Sequence, residues 1–104
     1  MSEDFIRSIF REGRGRERKG DQWFHILPDG APAYPERYDF VGHFYEGRSR
    51  VKKDNQWFHI TPDGQPAYRE RYLAVGNFWN GKAFVVSISG KKSFHIDKNG
   101  NVIS

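Results

Sequence analysis

The blocks around Trp23 and Trp57, read with the period of two of an extended strand, place apolar side chains on both faces. In Gln22-Trp23-Phe24-His25-Ile26, Phe24 and Ile26 fall on one face of an extended strand and Trp23 and His25 on the other. Gln56-Trp57-Phe58-His59-Ile60 repeats the arrangement. Both faces carry apolar area, so such strands are expected between neighbours that cover each side. Ahead of the second block, Arg48–Lys53 is an extended run and Asp54-Asn55 a polar turn. Residues 48–61 therefore read as a β-hairpin. Asp63-Gly64 supplies the next turn, and a short third strand is expected near residues 66–68, with Pro66 marking it as an edge or irregular strand. Residues 4–10 admit a helical reading, because Phe5, Ile6, Ile9 and Phe10 share a helical face. Alignment with residues 39–47 favours a loop there, with room for one helical turn.

The two Trp blocks are 34 residues apart, and the text around them recurs almost unchanged. Pro28-Asp29-Gly30 returns as Pro62-Asp63-Gly64, and Pro-Ala-Tyr-x-Glu-Arg-Tyr occurs at residues 32–38 and 66–72. Upstream, an aromatic residue precedes a glycine by three positions in Phe10 with Gly13, Phe44 with Gly47, and Phe78 with Gly81. A looser third block contains Phe94-His95-Ile96 and Asn99-Gly100. The chain divides into copy one at 4–38, copy two at 39–72 and copy three at 73–104, the last without the connector. Periodic self-similarity of this length predicts an array of equivalent supersecondary units. We expect a single all-β repeat domain spanning residues 1–104, built of three hairpin-based units and arranged as a meander, a short solenoid or a propeller-like partial ring.

Composition sharpens that picture. At 104 residues the chain can bury one modest core. Nine Phe, five Tyr and three Trp must supply most of it. Cysteine is absent, which excludes disulfides and thiolate metal sites. No apolar run approaches the roughly 18 residues of a membrane span, and no signal-like segment opens the chain. A cytoplasmic protein without membrane association is the default expectation. The net charge of +4 is unevenly spread, since residues 73–104 hold Lys82, Lys91, Lys92 and Lys98 against Asp97 alone.

Tyr38-Asp39, Phe44, Gly47, Val51, Trp57, Ile60 and Gly64 together resemble the WG (KWG) repeat family of bacterial proteins, whose units run tyrosine-aspartate, Phe-x-x-Gly, a Val-rich strand and a Lys-Trp-Gly-aromatic-Ile-Asp block. The resemblance covers nearly the whole chain. It departs from the family pattern at Phe24 and Phe58, which stand where the family has glycine, and at Ser93, which replaces the tryptophan. The copies are thus divergent. The resemblance implies a repetitive β architecture and a non-catalytic interaction role, with no particular ligand.

Three groups of residues invite chemistry. His25, His59 and His95 recur at equivalent places and are candidate metal ligands if the units converge, whereas the simpler expectation is that each satisfies a packing or hydrogen-bonding need within its unit. Arg14, Arg16 and Arg18 alternate on one strand, and Arg48, Arg50 and Lys52 on the next, so six cations share a strand face. Such a face suits a polyanion, including nucleic acid, although Glu12, Glu17 and Glu46 lie nearby and favour a solvated or ion-paired surface. Trp23, Trp57, Tyr34, Tyr38, Tyr68 and Tyr72 are either core or platforms for carbohydrate or peptide stacking. Glu36-Arg37 and Glu70-Arg71 are expected to pair across units. No carboxylate pair, serine nucleophile motif or phosphate loop points to an enzyme or a cofactor.

The reading that results is a non-catalytic structural or protein-interaction scaffold, with polyanion binding or carbohydrate and peptide binding as alternatives. Its partners are another protein or a second copy met through the terminal repeats, or nucleic acid. Phe84, Val86 and Ile88 stand in the third hairpin where earlier copies carry cations or other polar residues, which predicts that this hairpin lies against apolar surface, inside the chain or across a dimer.

Overall fold

A computed structural model describes residues 9–103. Among these residues the chain is all-β, without a helix and without a closed barrel, and forms three antiparallel sheets. β1 (Gly15–Lys19) pairs with β2 (Gln22–Ile26). β3 (Phe40–Tyr45), β4 (Arg48–Lys53) and β5 (Gln56–Ile60) make the second sheet. β6 (Ala74–Val75), β7 (Lys82–Val86) and β8 (Ser93–Asp97) make the third. The body is elongated, 49 × 27 × 20 Å.

Local chemistry sets the strand ends. Asp54 and Asn55 take φ of 54° and 66°, the left-handed pair that a two-residue β4–β5 turn needs and that these short polar side chains tolerate. Glu46 and Gly47 close β3 onto β4 with the same signs of φ, 55° and 78°. Residues 66–68 do not become a strand. Pro66 makes one bridge with Ile60, and Ala67 donates to His59 O, but the proline lacks an N–H and the chain bends away at once into residues 68–72. Residues 4–8, part of the segment with the helical alternative, lie outside the described residues. Ile9 and Phe10 are exposed.

Period two separates the faces as the sequence suggests. The core face carries Phe24, Ile26, Val41, Val51, Phe58, Ile60, Val75, Val85 and Ile96, all buried. Phe44 and Phe78 are buried with them. The opposite face carries Arg16, Arg18, Trp23, Phe40, Arg50, Lys52 and Trp57, matched across strands as Arg18 with Trp23, Phe40 with Lys52, and Lys52 with Trp57.

Four kinds of contact join one sheet to the next. Tyr34 packs on Gly64 so closely that a Cβ there would lie 2.4 Å from Tyr34 Cγ, and Tyr68 covers Gly100 in the same way, with a Cβ 2.5 Å from Tyr68 Cβ. The Tyr38 hydroxyl donates to Gly64 O at 2.6 Å. Glu12 accepts from the N–H groups of Glu46 and Gly47 at 2.6 and 2.8 Å. Glu46 accepts from Asn80 and Gly81 at 2.7 and 2.9 Å. Finally, His25 reaches Gly42 O and His59 reaches Gly76 O, both at 2.8 Å.

Of the two covers expected for the third hairpin, the one inside the chain is not formed at Phe84 and Ile88. Phe84 is 48% exposed and Ile88 50%, while Val86 is half-buried. Phe84 makes an edge contact with His95 and otherwise faces outward.

Candidate basic and aromatic face

Two of the three candidate histidines, His25 and His59, are structural, while His95 is half-buried with its ring against Phe84. His25 and His59 are fully buried, each between a tyrosine of the following connector and a phenylalanine of the next sheet, with His25–Phe44 and His59–Phe78 centroids 4.5 Å apart. The glycine carbonyl can only accept, so Nε2 carries the proton and Nδ1 accepts from the tyrosine hydroxyl. Those distances are 2.5 Å from Tyr34 to His25 and 2.6 Å from Tyr68 to His59. Both ring nitrogens are thereby occupied, which leaves neither histidine a lone pair for a metal. Among the described residues no three His, Asp or Glu side chains group as metal ligands. Burial pulls both pKa values down to about 4 despite the backbone hydrogen bond that opposes it. The same burial raises the Tyr34 and Tyr68 hydroxyls above their ordinary range.

The tyrosines are likewise consumed by architecture. Tyr34, Tyr38, Tyr68 and Tyr72 are buried, and edge contacts run Tyr34–Tyr38–Phe58 and Tyr68–Tyr72–Phe94. The expected pairing of Glu36 and Glu70 with Arg37 and Arg71 gives way to another arrangement. Arg37 donates to the carbonyls of Tyr34, Pro35 and Glu36 and covers the Phe24 ring at 3.9 Å. Arg71 does the same for Tyr68, Arg69 and Glu70 over Phe58 at 3.8 Å. A connector that bends tightly turns several carbonyls inward, and a guanidinium with five donors satisfies them where a carboxylate cannot. Glu36 instead accepts from Gln65 at 2.7 Å. A groove of about 400 Å³ lies beside these connectors, lined by Glu36, Arg37, Tyr38, Lys53, Phe58, Pro66 and Arg71. The sequence singled out its connector residues individually but not this juxtaposition, which needs Lys53 brought back from the β4–β5 turn.

The opposite face holds the remaining candidates. Trp23, Phe40 and Trp57 form a row, with centroids 5.5 and 5.7 Å apart and the rings tilted at 53° and 60°. All three are half-buried. Arg16 lies 5.3 Å from the Trp23 centroid and 5.9 Å from Phe40, and Arg50 lies 5.7 Å from Phe40 and 5.3 Å from Trp57. Arg18 reaches Trp23 at 6.0 Å. These are cation–π distances. Phe40 was the residue the sequence did not nominate. The signal was present, since it follows Tyr38-Asp39 on the same parity as Gly42, but nothing in the text says that the Phe40 ring comes to lie between the two tryptophan rings.

Of the other expected members, Arg48 and Arg14 are placed differently and Lys52 stays on the face. Arg48 donates to Lys98 O at 3.1 Å and so ties the second sheet to the last turn. Arg14 bonds only its neighbour's carbonyl, Gly13 O. Lys52 is half-buried beside Trp57. The nearby acids do not neutralise the face: Glu12 and Glu46 are engaged with backbone N–H groups, and Glu17 projects to the other side of β1. Among the described residues the one ion pair joins Lys98 to Glu46 at 3.8 Å. The field this leaves is positive. After burial, Arg16 and Arg11 further lower the pKa of His43.

Set against known proteins, the chain matches no family model, no curated protein and no solved structure.

Proposed function

We propose that the chain is a non-catalytic repeat scaffold of the WG type, whose working surface is the Arg and Trp face that β1 to β5 present to an anionic partner. The observation that carries this reading is a division of labour among the polar groups. Those in the joints are spent there: His25 and His59 in tyrosine and carbonyl hydrogen bonds, Glu12 and Glu46 on turns. Arg16, Arg18 and Arg50, by contrast, lie beside half-buried rings without a carboxylate partner among the described residues. Unpaired cations held in fixed places are a surface suited to recognition.

In the repeat reading, a step of 34 residues carries each joint to the next: Glu12 to the turn at 46–47, then Glu46 to the turn at 80–81. A scaffold of that kind fixes the spacing of what it displays. Retention on a heparin column tests the function. The wild type should elute at higher salt than the Arg16→Gln, Arg50→Gln double variant, and equal elution of two folded proteins would reject the face as the binding surface.

A second reading is favoured by the exposure of Trp79 (73%), Val102 (63%) and Leu73 (49%) together with Phe84 at the C-terminal sheet. Large apolar side chains exposed around that sheet suit self-association or a protein partner. Light scattering distinguishes it, since an Arg-face ligand leaves the free protein monomeric.

A further inference from the structure

The row Trp23, Phe40, Trp57 with Arg16 and Arg50 set between its rings has more structure than a generic anion site requires. We infer that this face binds single-stranded nucleic acid, the phosphates meeting Arg16, Arg18, Arg50 and Lys52 and the bases stacking at the Trp23, Phe40 and Trp57 row. The inference rests on the anionic-partner reading above and names the ligand class.

Three features point the same way. The first is periodicity: the rings repeat at 5.5 and 5.7 Å, and Arg16 and Arg50 each stand within 6 Å of two of them. A ligand matched to this row must itself alternate charge with flat apolar groups. Single-stranded nucleic acid does so at every residue, whereas polyphosphate and acidic peptides supply charge alone. A duplex keeps its base faces stacked inside, so the aromatic row would meet only its backbone.

The second feature is the absence of competition. The carboxylates closest in sequence are withdrawn, Glu12 and Glu46 into turns and Glu17 to the other face, and Asp39 accepts from Asp54 N at 2.9 Å. Arg16 holds one long bond, to Val41 O at 3.2 Å, and its Nε is buried, so the remaining terminal N–H groups are the donors left for a ligand. The third feature is that the row ends where the sequence changes character. At the positions following Trp57 the third sheet has Ala74 in place of Phe40 and Phe84 in place of Arg50. The platform is therefore short, matched to a few nucleotides.

Binding is to be measured by fluorescence anisotropy on the full chain with a labelled twelve-residue oligothymidylate, beside inorganic polyphosphate as competitor and a labelled duplex of equal length. The expected result is tighter binding of the single strand than of the duplex, with quenching of tryptophan emission and a loss of about tenfold or more for Trp57→Leu. Polyphosphate competition should be unaffected by that substitution. Arg50→Lys, which keeps the charge and gives up the planar group, should weaken the single strand more than polyphosphate. It carries the comparison should Trp57→Leu fail to fold.

The inference is overturned if the oligothymidylate binds no better than the duplex, or if both variants weaken oligothymidylate and polyphosphate alike. In that case the anionic-partner reading survives, because polyphosphate still binds. Failure of every anion to bind would reject both.

Discussion

Lowering the pH from 7.5 to 5 should destabilise the fold through its buried histidines. In the unfolded chain His25 and His59 take up protons at their ordinary value near 6.5, whereas burial holds both down to about 4 in the fold. The folded state thus binds fewer protons across that interval, and stability present above pH 6.5 is lost as the pH falls toward 4. At pH 5 the loss is about 2 kcal/mol per histidine, hence roughly 4 kcal/mol for the pair. That is a large share of the 5–15 kcal/mol typical of a domain. His43 is lowered as well and acts in the same direction. Asp63 and Asp97, held below the usual carboxylate range by hydrogen bonds, act only at lower pH. Urea denaturation followed by tryptophan emission at pH 7.5, 6.5, 5.5 and 5.0 reads the effect directly. A denaturation midpoint that does not move over this range would refute the account of the buried histidines. So would ring nitrogen shifts, measured by NMR at pH 7, that place the proton on Nδ1.

Tyr68→Phe should cost about 1–3 kcal/mol, because it removes the donor to a buried histidine nitrogen and leaves it unsatisfied; thermal unfolding measures it. Glu46→Ala should cost about 1 kcal/mol by releasing two turn N–H groups at a partly solvated site, and Glu46→Gln should retain part of that, as paired denaturation curves will show. Phe84→Ser should leave stability almost unchanged, since the ring is half exposed, but should lower any concentration-dependent mass seen by light scattering.

The strands were readable because alternation and turn chemistry agree. Gln22–Ile26 and Gln56–Ile60 appear where the pattern puts them, and Asp54-Asn55 turns as such residues turn. The equivalent histidines were readable too, and their hydrogen bonding follows from needing one donor and one acceptor in a buried place. The joints between sheets were not. Glu12 looks like a neighbour of the basic strand and is a ligand for the turn at Glu46, a role visible only once strands 34 residues apart lie side by side. Arg37 and Arg71 were misassigned because a sequence lists their charged neighbours and says nothing of the carbonyls that a bent connector turns toward them. The strand expected at residues 66–68 failed at Pro66, where a missing N–H outweighs the favourable side chains around it. In the basic ladder, parity put Arg16, Arg18, Arg50 and Lys52 on one face, whereas Arg14 lies ahead of β1 and Arg48 reaches the last turn; which cations meet the rings depends on the Phe40 ring lying between those of Trp23 and Trp57.

Each sheet being fastened to the next by a tyrosine over a turn glycine is the claim on which the whole account stands. Gly30 and Gly64 have the same left-handed backbone, φ 89° and 87°, but Gly64 lies under Tyr34 and a Cβ on Gly30 would meet nothing within 4 Å. Alanine at either position pays about 1–2 kcal/mol for the backbone, and only at Gly64 is a clash with the base of a buried ring added. Equilibrium denaturation of Gly30→Ala and Gly64→Ala should show the second destabilised by at least about 2 kcal/mol more than the first. Equal losses at the two glycines would contradict it.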